Sequence, residues 1–137
     1  MKPIAADAIW PAFAHLDYLL PNDEQVLGLT GATDVIDGAR ALVERGVGCV
    51  AATCGADGAV IVDRETTVEV PAFAVDVVDT TGCGDAFSAG FLRALALGRG
   101  RREAAVLGCA AAALVAQGLG SDHGEFDLAA ADAFPSA

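Results

Sequence analysis

Asp79-Thr80-Thr81-Gly82-Cys83-Gly84-Asp85 is the stretch on which the reading of this chain turns. A run from Val75 to Val78 leads into it and reads as a buried strand. Beyond it, Phe87, Phe91 and Leu95 recur every four residues with Leu92 beside them, and Gly98 supplies a stop, so the spacing predicts a helix over 86–97. Gly82 and Gly84 permit backbone conformations and close approaches that a side chain would block. Their amides, with those opening the helix, can converge on an anion at the positive end of the helix dipole. A carboxylate placed at such an anion site, Asp85, costs electrostatic energy once the anion is bound and needs a reason. Taking a proton from a hydroxyl that attacks a phosphate is one. Capping the helix is the plainer one.

Outward from that stretch, strands and helices alternate. Residues 8–15 read as a short helix, 17–20 as a strand ended by Pro21, and 23–29 as a brief helix. Residues 34–45 read as a longer helix with apolar Val35, Ile36, Ala39, Leu42 and Val43, ended by Gly46 and Gly48. The next strand is 49–53, and 59–62 with 66–70 form a hairpin around Asp63-Arg64-Glu65. Residues 102–116 make a further helix, and the tail after Gly120 is loop-like with one helical turn near 128–133. The alternation predicts an α/β fold, a largely parallel sheet flanked by helices. With 137 residues and neither an internal repeat nor a linker, residues 1–137 read as a single α/β domain able to bury a core.

Composition narrows the function. A net charge of −11 argues against nucleic acid, where affinity comes from Lys and Arg neutralising phosphates, and equally against an anionic membrane surface. No stretch is long and apolar enough to span a bilayer; residues 104–115 come nearest and follow charged residues. Hydrophobic content of 54% excludes a disordered chain, and much of it is alanine, which suits closely packed helices on a sheet. The four cysteines, at 49, 54, 83 and 109, form no Cys-x-x-Cys pair, and Cys49 and Cys109 sit in apolar runs as small buried hydrophobes. A reducing cytoplasm is the simplest home. Ala12-Phe13-Ala14 mimics a signal-peptidase site, but Asp7 and Pro11 interrupt the apolar run before it.

Continued through Ala86-Phe87-Ser88-Ala89-Gly90-Phe91, the opening stretch resembles the C-terminal signature of the ribokinase/PfkB family of carbohydrate kinases, Asp-Thr-x-Gly-Ala-Gly-Asp before a small-residue helix start. Two more matches fall in the family's order. Asp17-Tyr18-Leu19-Leu20-Pro21-Asn22 resembles its strand into an Asn-x-x-Glu motif, and Thr53-Cys54-Gly55-Ala56-Asp57-Gly58 resembles its Thr-x-Gly-x-x-Gly strand-turn. Together they cover roughly residues 16–124. The resemblance implies the C-terminal, nucleotide-binding half of a ribokinase-like three-layer sandwich, a mostly parallel sheet flanked by helices and carrying a β-hairpin. Family members are typically about twice this length, as one larger α/β domain would be. Their N-terminal half supplies the first strands, a β-rich lid and most sugar contacts, none of which is legible here. A fragment, a split gene product and a decayed copy all fit.

The resemblance also implies roles. Asp85 matches the general base for the acceptor hydroxyl, and Gly82, Cys83 and Gly84 match the backbone anion hole that stabilises the transferring phosphoryl group; a tight strand-helix turn is the alternative reading of those three. Thr53, Gly55 and Gly58 match the nucleotide-phosphate loop, although a hairpin turn explains the two glycines alone. Asp79 and Thr81 match positions that in many members help hold an activating monovalent cation such as K+, and they equally suit a strand-end turn. Asn22 matches the Asn-x-x-Glu that organises Mg2+ and phosphate, but Gln25 stands where the family has glutamate, and a neutral amide attracts a hard cation less. Asn22 and Asp23 also suit the cap of the following helix. Cys83 stands where alanine is usual; a small residue is tolerated there, and at a helix N-terminus a thiolate would be stabilised.

Two functional readings follow. One is an enzyme that transfers a phosphoryl group from Mg-ATP to the hydroxyl of a small sugar or nucleoside. The other is a catalytically inactive nucleotide-binding or interaction module lacking the sugar-binding half. A dinucleotide-binding oxidoreductase fits poorly, because Gly82-Cys83-Gly84 lacks the third glycine of that fingerprint. Half of such a sheet would expose a strand edge and apolar helix faces, so the chain is expected to associate with itself or with a complementary N-terminal half.

Overall fold

Val47-Gly48-Cys49-Val50-Ala51-Ala52 shows no polar-apolar alternation, the mark of a strand covered on both faces. The computed structural model describes residues 11–73 and 82–117. In it Cys49–Thr53 forms strand β2, with Cys49, Val50, Ala51 and Ala52 all fully buried. Before it come β1 (Tyr18–Leu19), α1 (Asp23–Thr30) and α2 (Val35–Glu44). After it come a short 3-10 turn (Gly55–Asp57), β3 (Ala59–Asp63), β4 (Thr67–Val70), α3 (Cys83–Ala96) and α4 (Arg101–Gln117). The four strands form one sheet in the order β1-β2-β3-β4. β1 and β2 run parallel, with Tyr18 opposite Cys49 and Leu19 opposite Val50. The connections 54–58 and 64–66 are too short for parallel crossovers, so β3 and β4 extend the sheet as antiparallel neighbours. The fold is a mixed α/β sheet flanked by helices.

The residues group into two compact units. Described residues of the first are 11–54 and 60–69; those of the second are 55–59, 70–73 and 82–117.

The first unit is organised by α2. Asp34 caps it, its Oδ2 accepting the Ile36 and Asp37 amides at 3.0 and 3.1 Å. Ala39, Leu42 and Val43 on its inner stripe pack with Phe13, Val26, Val47, Val50, Ala52, Val60 and Val62 as the core of this unit. Gly38 lets α1 come close, since a Cβ there would stand 2.6 Å from Val26 Cγ1.

The second unit is built on α3 and α4. Phe87 and Phe91 are buried one turn apart, their ring centroids 5.9 Å apart and 21° from parallel. Small residues then let the helices close: a Cβ on Gly90 would lie 3.1 Å from Gly108 Cα, and one on Gly108 would lie 2.7 Å from the Phe87 ring. The alanines of α4, from Ala104 to Ala116, are mostly buried for the same reason. Leu92, read with the apolar stripe, is instead 50% exposed. None of the described helices is long and apolar enough to cross a membrane.

α3 begins a turn earlier than its apolar spacing predicts. The Gly-x-Gly segment is not a turn preceding the helix; Cys83, Gly84 and Asp85 are its first three residues. The strand expected at 75–78 and the tail after Gly120 lie outside the described residues.

Candidate functional site

Gly82 sets the start of α3. It is the N-cap, in the left-handed conformation at φ 83°, ψ −1°, where a side chain would be strained. Its carbonyl accepts the Ala86 amide at 2.9 Å and closes the first turn. A glycine cap has no side chain to offer the amides ahead of Ala86, which also lack intrahelical acceptors. Those of Gly84 and Asp85 have no hydrogen-bond partner among the described residues. A Cβ built on Gly84 meets nothing within 4 Å, so the backbone there faces open space.

Asp85 occupies the third helical position and is exposed. Its carboxylate makes no hydrogen bond among the described residues, so it does not reach back to cap the helix it helps to open. Negative charge in a first turn is favourable to the helix dipole, and the group stays accessible to whatever approaches. Cys83 behaves differently. It is half-buried, and its thiol donates to the Ala112 carbonyl at 3.5 Å. A carbonyl acceptor favours the protonated thiol, which opposes the thiolate that the helix N-terminus alone would suggest.

Gly55 and Gly58 bracket the 3-10 turn with φ of 57° and 93°, and the Gly58 amide donates to the Gly55 carbonyl at 3.1 Å. Gly58 has a packing reason as well: a Cβ would run into the Val70 carbonyl and stand 2.7 Å from the Ala72 nitrogen. At Gly55 only the backbone conformation asks for glycine, because the space around it is open.

In the first unit Asn22 and Thr53 are neighbours, joined by an isolated parallel bridge. The Thr53 amide donates to the Pro21 carbonyl at 2.9 Å. They stand at the carboxyl ends of β1 and β2, where open α/β sheets receive ligands. Asn22 is also the N-cap of α1 in a reciprocal capping box. Its Oδ1 accepts the Gln25 amide at 2.8 Å, and Gln25 Oε1 accepts the Asn22 amide at 2.9 Å. Sequence reasoning anticipated the Asn22 cap but missed the part of Gln25, although Asn-x-x-Gln ahead of an apolar run is the signal for it.

Asp79 and Thr81 lie outside the described residues. Among the described residues no three His, Cys, Asp or Glu side chains gather as metal ligands. The Asn22 and Gln25 oxygens are both engaged in the cap. Two neutral amides whose oxygens each already accept an N–H are a poor fit to a protein-held Mg2+. A surface groove of 530 Å³ lies elsewhere in the first unit, lined by Arg40, Val43, Glu44 and residues 63–67. It contains none of the candidate residues. Its Arg40 is tied to Thr67 Oγ1 at 3.2 Å, and its charges are of both signs, so it selects no obvious ligand.

The chain is similar to known carbohydrate kinases. Residues 2–126 match the pfkB family carbohydrate kinase model. The chain is 38% identical over 100 residues to the 1-phosphofructokinase of Haloferax volcanii, covering 69% of this chain and 33% of that protein. It superposes on the crystal structure of Thermotoga maritima ribokinase with a TM-score of 0.86 at 32% identity, covering 93% of this chain and 45% of the other. A ribokinase II structure from E. coli, in complex with ATP and Mg2+, gives 0.86 at 25% identity over 95% of this chain and 42% of that one. The chain thus spans less than half the length of the relatives it matches. With residues 2–126 of its 137 matched to that model, the chain belongs to the pfkB family of carbohydrate kinases.

Proposed function

We propose that this chain is the nucleotide-binding part of an ATP-dependent kinase that phosphorylates a hydroxyl of a small sugar or nucleoside, with Asp85 as the general base. The single observation that carries this reading is the start of α3. An exposed carboxylate with no hydrogen bond among the described residues stands beside the Gly84 amide and its own, neither of which has an acceptor there. In the proposed reaction, the amides of Gly82, Cys83 and Gly84 hold the terminal phosphate of ATP and stabilise the charge that spreads over its oxygens during transfer. Asp85 accepts the proton of the acceptor hydroxyl as its oxygen bonds to phosphorus and the bond to the leaving ADP oxygen breaks. Gly55 and Gly58 of the same unit contact the nucleotide phosphates. Dipole, open backbone and base then act at one helix end.

The test is a coupled ADP-release assay over a panel of sugars and nucleosides, run beside Asp85→Asn. Turnover that falls by about 10²–10⁴ in the variant, with ATP still bound, supports the base assignment. Equal turnover in both would refute it.

A second reading has its own observation. The chain spans less than half the length of the relatives it matches, and phosphoryl transfer requires both substrates held in line. In this reading the chain is a nucleotide-binding or interaction module without turnover of its own. It requires ATP binding with no ADP release on any acceptor.

A further inference from the structure

We infer that the Asn22–Gln25 cap of α1 is indifferent to divalent cations, and that the amide of Gln25 is what makes it so. Each backbone N–H in the capping box must meet an oxygen, which fixes both amide orientations: Asn22 Oδ1 faces the Gln25 amide at 2.8 Å, and Gln25 Oε1 faces the Asn22 amide at 2.9 Å. A flipped side chain would set NH2 against N–H. Each oxygen is thus already committed to one N–H and carries no net charge, and the other polar group on each residue is an NH2, which donates and cannot ligate a cation. Both side chains are exposed, and neither makes a further hydrogen bond among the described residues. A glutamate at 25 would satisfy the same box with one carboxylate oxygen and keep a second, charged oxygen for a cation or its water shell.

The adjacent carboxylates do not replace it. Asp23 Oδ1 accepts the Glu24 amide at 2.9 Å, and positions 23, 24 and 25 project about 100° apart around the helix start. The cap thus keeps a geometry that glutamate would satisfy equally, with neutral oxygens in place of a charged one. This concerns direct metal binding, and it stands whether or not the chain transfers phosphate.

The experiment titrates Mn2+ into the ¹⁵N-labelled chain and compares paramagnetic broadening of the amides at 22–25 with that at the Asp63–Glu65 turn, for wild type and Gln25→Glu. Glutamate preserves the capping box, so the variant folds. In the wild type the two stretches should broaden together, as scattered surface carboxylates do. In Gln25→Glu, residues 22–25 should broaden at a Mn2+ concentration lower by about threefold or more, with Asp63–Glu65 unchanged. Selective broadening of 22–25 in the wild type would overturn the inference. So would a Gln25→Glu titration that superimposes on the wild type.

Discussion

Asp85 and Gly84 divide two tasks between neighbouring residues, and each can be removed alone. Gly84→Val should fold, because nothing lies within 4 Å of its Cβ position and valine costs a helix no more than glycine does. Its methyl groups would nevertheless fill the space above the α3 amides, so nucleotide affinity should fall by about tenfold or more, roughly 1.4 kcal/mol. Asp85→Asn should leave nucleotide affinity within about threefold while removing turnover. Asn22 belongs at the same scale. Asn22→Ala removes the cap of α1 and should cost about 1 kcal/mol of stability in urea denaturation. An unchanged midpoint would mean that the capping box contributes nothing.

Among the elements, the α3–α4 pair sets the frame that holds the candidate residues of the second unit. Gly108→Ala places a methyl 2.7 Å from the Phe87 ring and 2.9 Å from its carbonyl. Overpacking of about 1–3 kcal/mol should outweigh the gain of about 1 kcal/mol in helix propensity, leaving a net loss measurable by thermal melting. Much of this scale was legible in sequence. The β2 bounds, the hairpin about Asp63–Glu65, the Asp34 helix start and the Phe87–Phe91 stripe all follow from local rules. The early start of α3 was not, because Gly84 in an N-terminal turn looks like loop until Gly82 is seen to take the left-handed cap at φ 83°. Nor was the Gly90–Gly108 approach, since close contacts between separate helices leave no periodic trace. The exposure of Leu92 shows the opposite failure: an apolar residue next to a buried stripe need not belong to it.

For the whole molecule, the family was readable from three short motifs because each answers a backbone demand: a left-handed cap at Gly82, a packed turn at Gly58 and a strand end at Asn22 bridged to Thr53. The acceptor was not readable, because no motif here selects a sugar. Leu92 on α3 and Leu97 at its C-cap are exposed, and covering them would favour association of this chain with itself or with a complementary chain. Light scattering at micromolar concentration should then give a mass above that of the monomer, and a monodisperse monomer would contradict the expectation. The measurement that bears most directly on the central claim is calorimetric titration with Mg-ATP of wild type, Asp85→Asn and Gly84→Val. Binding by the first two and its loss in the third is the expected result. Equal binding by wild type and Gly84→Val would show that the amides opening α3 do not hold the nucleotide.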